Sequence, residues 1–187
     1  MTRYLTITLT ALLLVGCLDK FDSKPDSKLQ AQLPPGATIT NDGILLAQGR
    51  VVGVSDGDTI TVLASNKRQY KIRLQGIDAP EKAQPYGQKC KEDLLTQAVN
   101  LTANVEAHKL DRYGRVLGKV TVEGKDLALT QIQNGCGWHY TAYAKEQSEA
   151  DQTAYAAAEK QARKAKRGLW KEKQPEAPWD FRKHKAK

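Results

Sequence analysis

Four short stretches hold residues whose types suit chemistry at a phosphate. "DGDT", Asp56 to Thr59, is an acidic turn between two β-rich runs. Arg73 stands five residues before Asp78. "QGIDAPE", Gln75 to Glu81, sets Asp78 and Glu81 on either side of Ala79-Pro80. "DRYGR", Asp111 to Arg115, adds two more arginines and Tyr113. Taken singly, each has an ordinary structural explanation. Asp-Gly is a common hairpin signal, and the others read as charged turns. Taken together they form a chemical set. Asp58 and Asp78 offer hard oxygen ligands for Ca2+. Glu81 is a spare carboxylate that can hold and deprotonate an attacking water. Arg73 and Arg115 carry fixed charge on a planar fork suited to bidentate phosphate contact. Such a set meets the needs of in-line attack on a phosphodiester, where cations neutralise charge building on the phosphoryl oxygens. Pro80 biases Ala79 toward extended backbone and so keeps the two carboxylates in fixed relation.

The elements that must position these residues are legible from pattern. "AQGRVVGVSD", "DTITVLAS" and "QYKIRLQGI" read as three strands of a meander. "QPYGQKCKEDLLTQAV" reads as a helix, with Leu94, Leu95, Ala98 and Val99 apolar. "NVEAHKL" and "RVLGKVTVE" give two more strands. "KDLALTQIQNG" is a short helix closed by Gly135, and "SEADQTAYAAAEKQARKAKRG" an Ala-rich helix ended by Gly168. The expected class is α+β, mainly β: a five-stranded, OB-like Greek-key barrel with about three helices, one inserted after the third strand.

In that order and spacing, "DGDT", "IRLQGIDAPE" and "DRYGR" resemble the staphylococcal nuclease (thermonuclease) family, over about Ala47 to Trp170. The resemblance implies that Asp58, Asp78 and the main-chain carbonyl of Ala79 hold Ca2+. It implies Glu81 as general base, Arg73 and Arg115 as phosphate-binding arginines and Tyr113 as a nucleotide contact. Staphylococcal nuclease itself has Thr at the place of Ala79, a minor change if the carbonyl is the ligand. The family's base-stacking tyrosine falls near Thr141, with Tyr140 and Tyr143 beside it, and Tyr143 is taken as a substrate contact. Arg112 stands where a lysine would meet a terminal phosphate. The implied activity is calcium-dependent, sugar-nonspecific endonucleolytic hydrolysis of DNA and RNA that leaves 3′-phosphate ends. A barrel that binds nucleic acid without cutting it is the alternative, and a structural envelope lipoprotein with a basic tail is a second. Intact acidic and arginine positions argue against both.

The chain has 187 residues and a formal net charge of +8, which favours polyanionic partners. Lys160 to Lys187 carries 11 Lys/Arg against 3 Asp/Glu, an excess equal to the whole net charge. The segments expected are 1–16, a signal peptide; 17–46, a polar tether; 47–170, the domain; and 171–187, an irregular basic tail whose Trp179 and Phe181 pin it. "RGLW" and "PWDFR" in and before that tail resemble the family's bacterial secreted branch. "MTRYLTITLTALLLVGC" has an early Arg3 and a short apolar run, a secretory signature. Its "LVGC" resembles a lipobox, which implies a lipidated Cys17 and anchoring to a bacterial membrane, with the domain outside the cytoplasm and monomeric. Leu18 after that Cys points to an outer membrane. Cys90 and Cys136 are then an even pair in an oxidising place, either a disulfide or two small buried thiols. The three histidines are scattered and suggest no metal site.

Overall fold

The computed structural model describes residues 37–40 and 44–185. Cys17, the apolar leader and most of the tether lie outside the described residues. One long strand, β2 (Leu45–Asp56), organises the rest; before it β1 (Thr38–Ile39) adds to its edge. The first half of β2 pairs antiparallel with β6 (Thr102–Leu110), from Leu45↔Ala107 to Arg50↔Thr102. Its second half pairs antiparallel with β3 (Thr59–Leu63), from Arg50↔Leu63 to Asp56↔Thr59. Register irregularities at Val51/Gly53 and Val54/Asp56 let the strand bend between its two neighbours. β3 continues to β4 (Gln69–Leu74), β4 runs parallel to β7 (Val116–Val122), and β7 pairs back to β6. The circuit β2-β3-β4-β7-β6 closes on itself, so the expected five-stranded barrel is the observed one.

The core follows from alternation and helical spacing. β7 alternates buried and half-buried positions, which sends Val116, Val120 and Val122 inward. Helix α1 (Gly87–Ala98) lies between the third and fourth barrel strands in sequence and buries Cys90, Leu94 and Ala98, four residues apart. Helix α2 (Leu127–Gln133) starts at Asp126, whose carboxylate accepts from the N–H groups of Ala128 and Leu129. Helix α3 (Glu149–Lys164) starts at Ser148, with acids in its first turn and Arg163 and Lys164 in its last. Gly135 and Gly168 pack backbone to backbone. A Cβ on either would fall 2.2 Å from a carbonyl oxygen, of Arg167 or Gly135 respectively. Only glycine permits that approach, which locks the end of α2 to the end of α3.

Three details differ from the sequence reading. The third strand breaks at Gln75-Gly76, and residues Ile77–Asp78 form β5, which pairs with a short strand, Trp138–His139. Gln75 N–H bonds the Gly118 carbonyl and Gly76 takes φ +78°, so the chain turns out of the barrel there. The Ala-rich helix stops at Lys164, and Gly168–Lys171 forms a separate 3-10 turn. The tail is not irregular: Pro178–Lys185 is a helix, α4. Pro at its first position, Asp180 in the first turn and a basic last turn all favour it. Trp179 secures it, stacked on Tyr140 at 5.2 Å and edge-on to Trp138 at 5.6 Å. Phe181 is only half-buried. Cys90 and Cys136 are buried neighbours with free thiols, not a disulfide. Their mutual hydrogen bond, and then burial, push the Cys90 thiol well above its usual range. Among the described residues no helix is long and apolar enough to cross a membrane.

Candidate active site

The DGD turn aims one of its acids inward. Asp58 N–H bonds Asp56 Oδ1 at 3.2 Å, and the Asp58 side chain turns under the barrel rim, with the residue only 5% exposed. Its Oδ1 accepts from the Thr59 hydroxyl at 3.0 Å and its Oδ2 from the Ala79 N–H at 2.8 Å. Gln131, fully buried on α2, fixes the turn from behind. Its amide nitrogen donates to the carbonyls of Gly57 (2.8 Å) and Cys90 (3.0 Å).

The break after β4 supplies the second acid. Asp78 on β5 is 1% exposed and accepts from Arg73 Nη2 at 2.8 Å. The other terminal nitrogen of Arg73 lies 2.5 Å from Asp58 Oδ2, an ion pair off the line of a hydrogen bond. One guanidinium thus bridges two buried carboxylates. Burial pushes Asp58 up to about 7; Arg73 pulls it down, while Asp56 and Asp78 push it further up. Asp56, Asp58 and Asp78 bring three carboxylates together here, against Arg73 and, on Asp78, Arg182. The donor set fits a hard divalent cation, which takes carboxylate oxygens and fills the rest of its shell with carbonyls and water. Among the described residues no three His, Cys, Asp or Glu side chains form a ready cage.

Glu81 differs from both aspartates. It sits past Pro80 in a turn closed by Gln84, whose N–H bonds the Glu81 carbonyl while its side chain accepts from the Glu81 N–H. Gly87 lets α1 start hard against this turn, since a Cβ there would fall 2.0 Å from the Glu81 carbonyl oxygen. The Glu81 side chain remains 41% exposed, open to water. Across the cleft, Asp111 receives Arg115 N–H and Nε at 2.9 and 2.7 Å. Burial alone would raise Asp111. Those two bonds and the Tyr113 N–H outweigh it and hold the carboxyl below its usual range. Arg115 is thereby aimed at the cleft, with Nη1 3.4 Å from Thr59 Oγ1. Tyr113 is 69% exposed, flanked by Arg112 and Arg115 at 4.8 and 5.5 Å.

Asp58, Arg73, Asp78, Ala79, Glu81, Arg112, Tyr113 and Arg115 all line this single cleft. Tyr143 does not. It lines an adjoining groove with Tyr140, which also borders Arg73, Tyr113 and Arg115. Two cleft residues were not foreseen, Asp56 and Arg182. Asp56 was quoted in the turn motif without a role. Arg182 comes from α4, and the aromatic anchor in "PWDFR" was the available signal.

The family model described as staphylococcal nuclease homologue matches residues 71–172. The chain belongs to that family. Its staphylococcal nuclease-like relatives include an uncharacterized endonuclease of Escherichia coli, 39% identical over 138 residues, 73% of this chain and 86% of that one. A micrococcal nuclease of Shigella flexneri is 36% identical over 144 residues, 72% of this chain and 80% of the other. A probable staphylococcal-like nuclease of Oryza sativa subsp. japonica is 41% identical over 119 residues, 63% of this chain. The chain spans about a third of the length of that plant relative (34%). The family match covers Arg73 through Arg115, whereas Asp58 precedes it and α4 follows it.

The raised Asp58 gives a pH-dependent test. A carboxyl that titrates near 7 in the fold and near 3.8 unfolded binds more protons when folded. Its cost to stability is therefore absent below pH 4, grows from there to 7, and is complete above. Asp58→Asn should stabilise the cation-free protein by roughly 2–4 kcal/mol at pH 8, and that gain should vanish toward pH 4. Urea melts in EDTA at several pH values measure it; no gain at pH 8 would contradict the assigned environment.

Proposed function

We propose that this chain is a Ca2+-dependent, sugar-nonspecific endonuclease that hydrolyses phosphodiester bonds of DNA and RNA and leaves 3′-phosphate ends. The observation that carries this is the division of labour among the acids of one cleft. Asp58 and Asp78 are buried and bridged by Arg73, while Glu81, paired with Arg182, stays half-exposed in the cleft that Arg115 also lines.

Asp58, Asp78 and the carbonyl of Ala79 are the ligands proposed for Ca2+, which when bound supplies Lewis-acid charge at the phosphate. Glu81 accepts the proton of a water that attacks phosphorus from the solvent side. Arg73 and Arg115 hold the non-bridging oxygens and take up their growing charge. The bond to the 5′ oxygen breaks, that oxygen gains a proton, and the phosphate stays on the 3′ side. Arg112, Tyr113 and Tyr143 extend the contact along the strand; an exposed aromatic face suits an unpaired base. Backbone charge supplies much of the binding, so activity falls with added salt.

The proposal includes the chain's address. Residues 1–16 are read as a lipoprotein signal and Cys17 as the lipidated residue. Residues 18–46 are then a tether that holds a monomeric 47–170 domain outside the cytoplasm. The sequence "LVGC" supports this reading. Cys17→Ser should shift the protein from the membrane to the soluble fraction of cells, and unchanged fractionation would refute the anchor.

For the chemistry, Glu81→Gln should lower turnover on denatured DNA in Ca2+ at least about 100-fold, the ordinary range for loss of a general base, with an unchanged circular dichroism spectrum. Chelation with EGTA should abolish cleavage by the unaltered protein. Full activity of the variant would remove Glu81 as the base. Cleavage that survives EGTA would remove the calcium requirement. A folded protein that binds DNA and never cuts it would favour the non-catalytic alternative.

A further inference from the structure

Arg182 reaches into the cleft from more than a hundred residues away. Its Nη2 lies 2.7 Å from Asp78 Oδ2, and its Nη1 lies 3.2 Å from Asp78 Oδ1 and 2.8 Å from Glu81 Oε1. The fork therefore takes both oxygens of Asp78 and ties them to Glu81. Helix α4 delivers it from a built platform. Trp179 stacks on Tyr140, Ala177 and Pro178 are buried, and the Gln84 side chain donates to the Glu176 carbonyl at 2.6 Å. Gln84 also closes the turn that carries Glu81, so one glutamine joins the tail to the base's own loop.

This placement conflicts with a bound cation. Asp78 Oδ1 already accepts from Arg73, and its Oδ2 is taken by Arg182. A Ca2+ ligated by Asp78 at about 2.4 Å would compete with Arg182 for the same carboxylate oxygens. With Arg73 already on Oδ1, a third positive group on that carboxylate meets strong repulsion. The Arg182 side chain is 44% exposed, so it has room to withdraw while Trp179 keeps the helix docked.

We propose that Arg182 is an internal counter-ion of the cleft that occupies Asp78 and Glu81 in place of the divalent cation and must leave when the cation binds. This rests on the reading of Asp58 and Asp78 as cation ligands. Arg182 is a positioning residue: it holds both oxygens of Asp78 in place before the metal arrives. The same departure that opens Asp78 also frees Glu81. Cation binding and release of the proposed base are then one event.

Calorimetric titration of the purified chain with CaCl2, without nucleic acid, tests this apart from activity. Arg182→Gln should tighten Ca2+ binding about 5- to 50-fold, within the ordinary range of coupling between two linked ligands. Arg182→Lys keeps the charge but cannot span three carboxylate oxygens, and should fall between. Trp179→Ala, which removes the platform and leaves Arg182 intact, should also tighten binding. Unchanged or weaker affinity in folded Arg182→Gln and Arg182→Lys would overturn the counter-ion role. If those variants instead keep the wild-type Ca2+ affinity and lose cleavage through a higher KM, Arg182 is a substrate contact and the proposal falls. Failure of the underlying reading looks different: neither the wild-type chain nor any variant would then bind Ca2+.

Discussion

Two carboxylates are buried at one place with a single arginine between them, and the rest of the site depends on that arrangement. Asp58 and Asp78 arrive from separate turns, and Arg73 meets both. Burying two acids is costly unless each is paired and hydrogen-bonded. The fold supplies those bonds from backbone and scaffold: Ala79 N–H and Thr59 hydroxyl on Asp58, and Arg73 and Arg182 on Asp78. The compensation is incomplete at Asp58, whose carboxyl is pushed up chiefly by its burial. Stability is given up at Asp58, a common arrangement at functional sites.

The barrel turns that electrostatic problem into geometry. The bend of β2 lets the DGD turn project at the rim, and the break after β4 brings Asp78 beneath it. The parallel β4–β7 pairing, with Arg73↔Leu117, places the Asp111–Arg115 loop beside the same rim. Gln131 and Gly87 hold the acidic turns from the helical side, one by two hydrogen bonds and the other by having no side chain. None of these supports touches the cleft's solvent face.

Much of this was legible in the sequence because chemistry and local pattern coincide. The five charged residues lie in short motifs, and period-two alternation and capping residues mark the strands and helices around them. What was missed depends on contacts distant in the chain. Arg182 reaches its partners across 101 and 104 residues, and no local pattern encodes that. The tail's charge suggested an irregular segment, whereas its Pro-Trp start and the Tyr140 platform make it a helix. The third strand read as continuous through Ile77, yet the Gln75 N–H bonds the Gly118 carbonyl and Gly76 turns the chain. For Cys90 and Cys136 the sequence left a disulfide and two buried thiols open, since spacing cannot tell them apart, and the structure has two buried free thiols. Tyr143 stands beside the cleft rather than in it, at the point where the motif alignment was loosest.

The central claim is that the Asp58–Asp78 pair is where a divalent cation acts. Titration of free Ca2+ against cleavage of denatured DNA, for the wild-type chain and for Asp78→Asn, tests it directly. Loss of one charged ligand should move the activating Ca2+ concentration upward by at least about tenfold, a change of roughly 1.4 kcal/mol in binding, or abolish activation. An Asp78→Asn protein activated at the wild-type concentration would contradict the account.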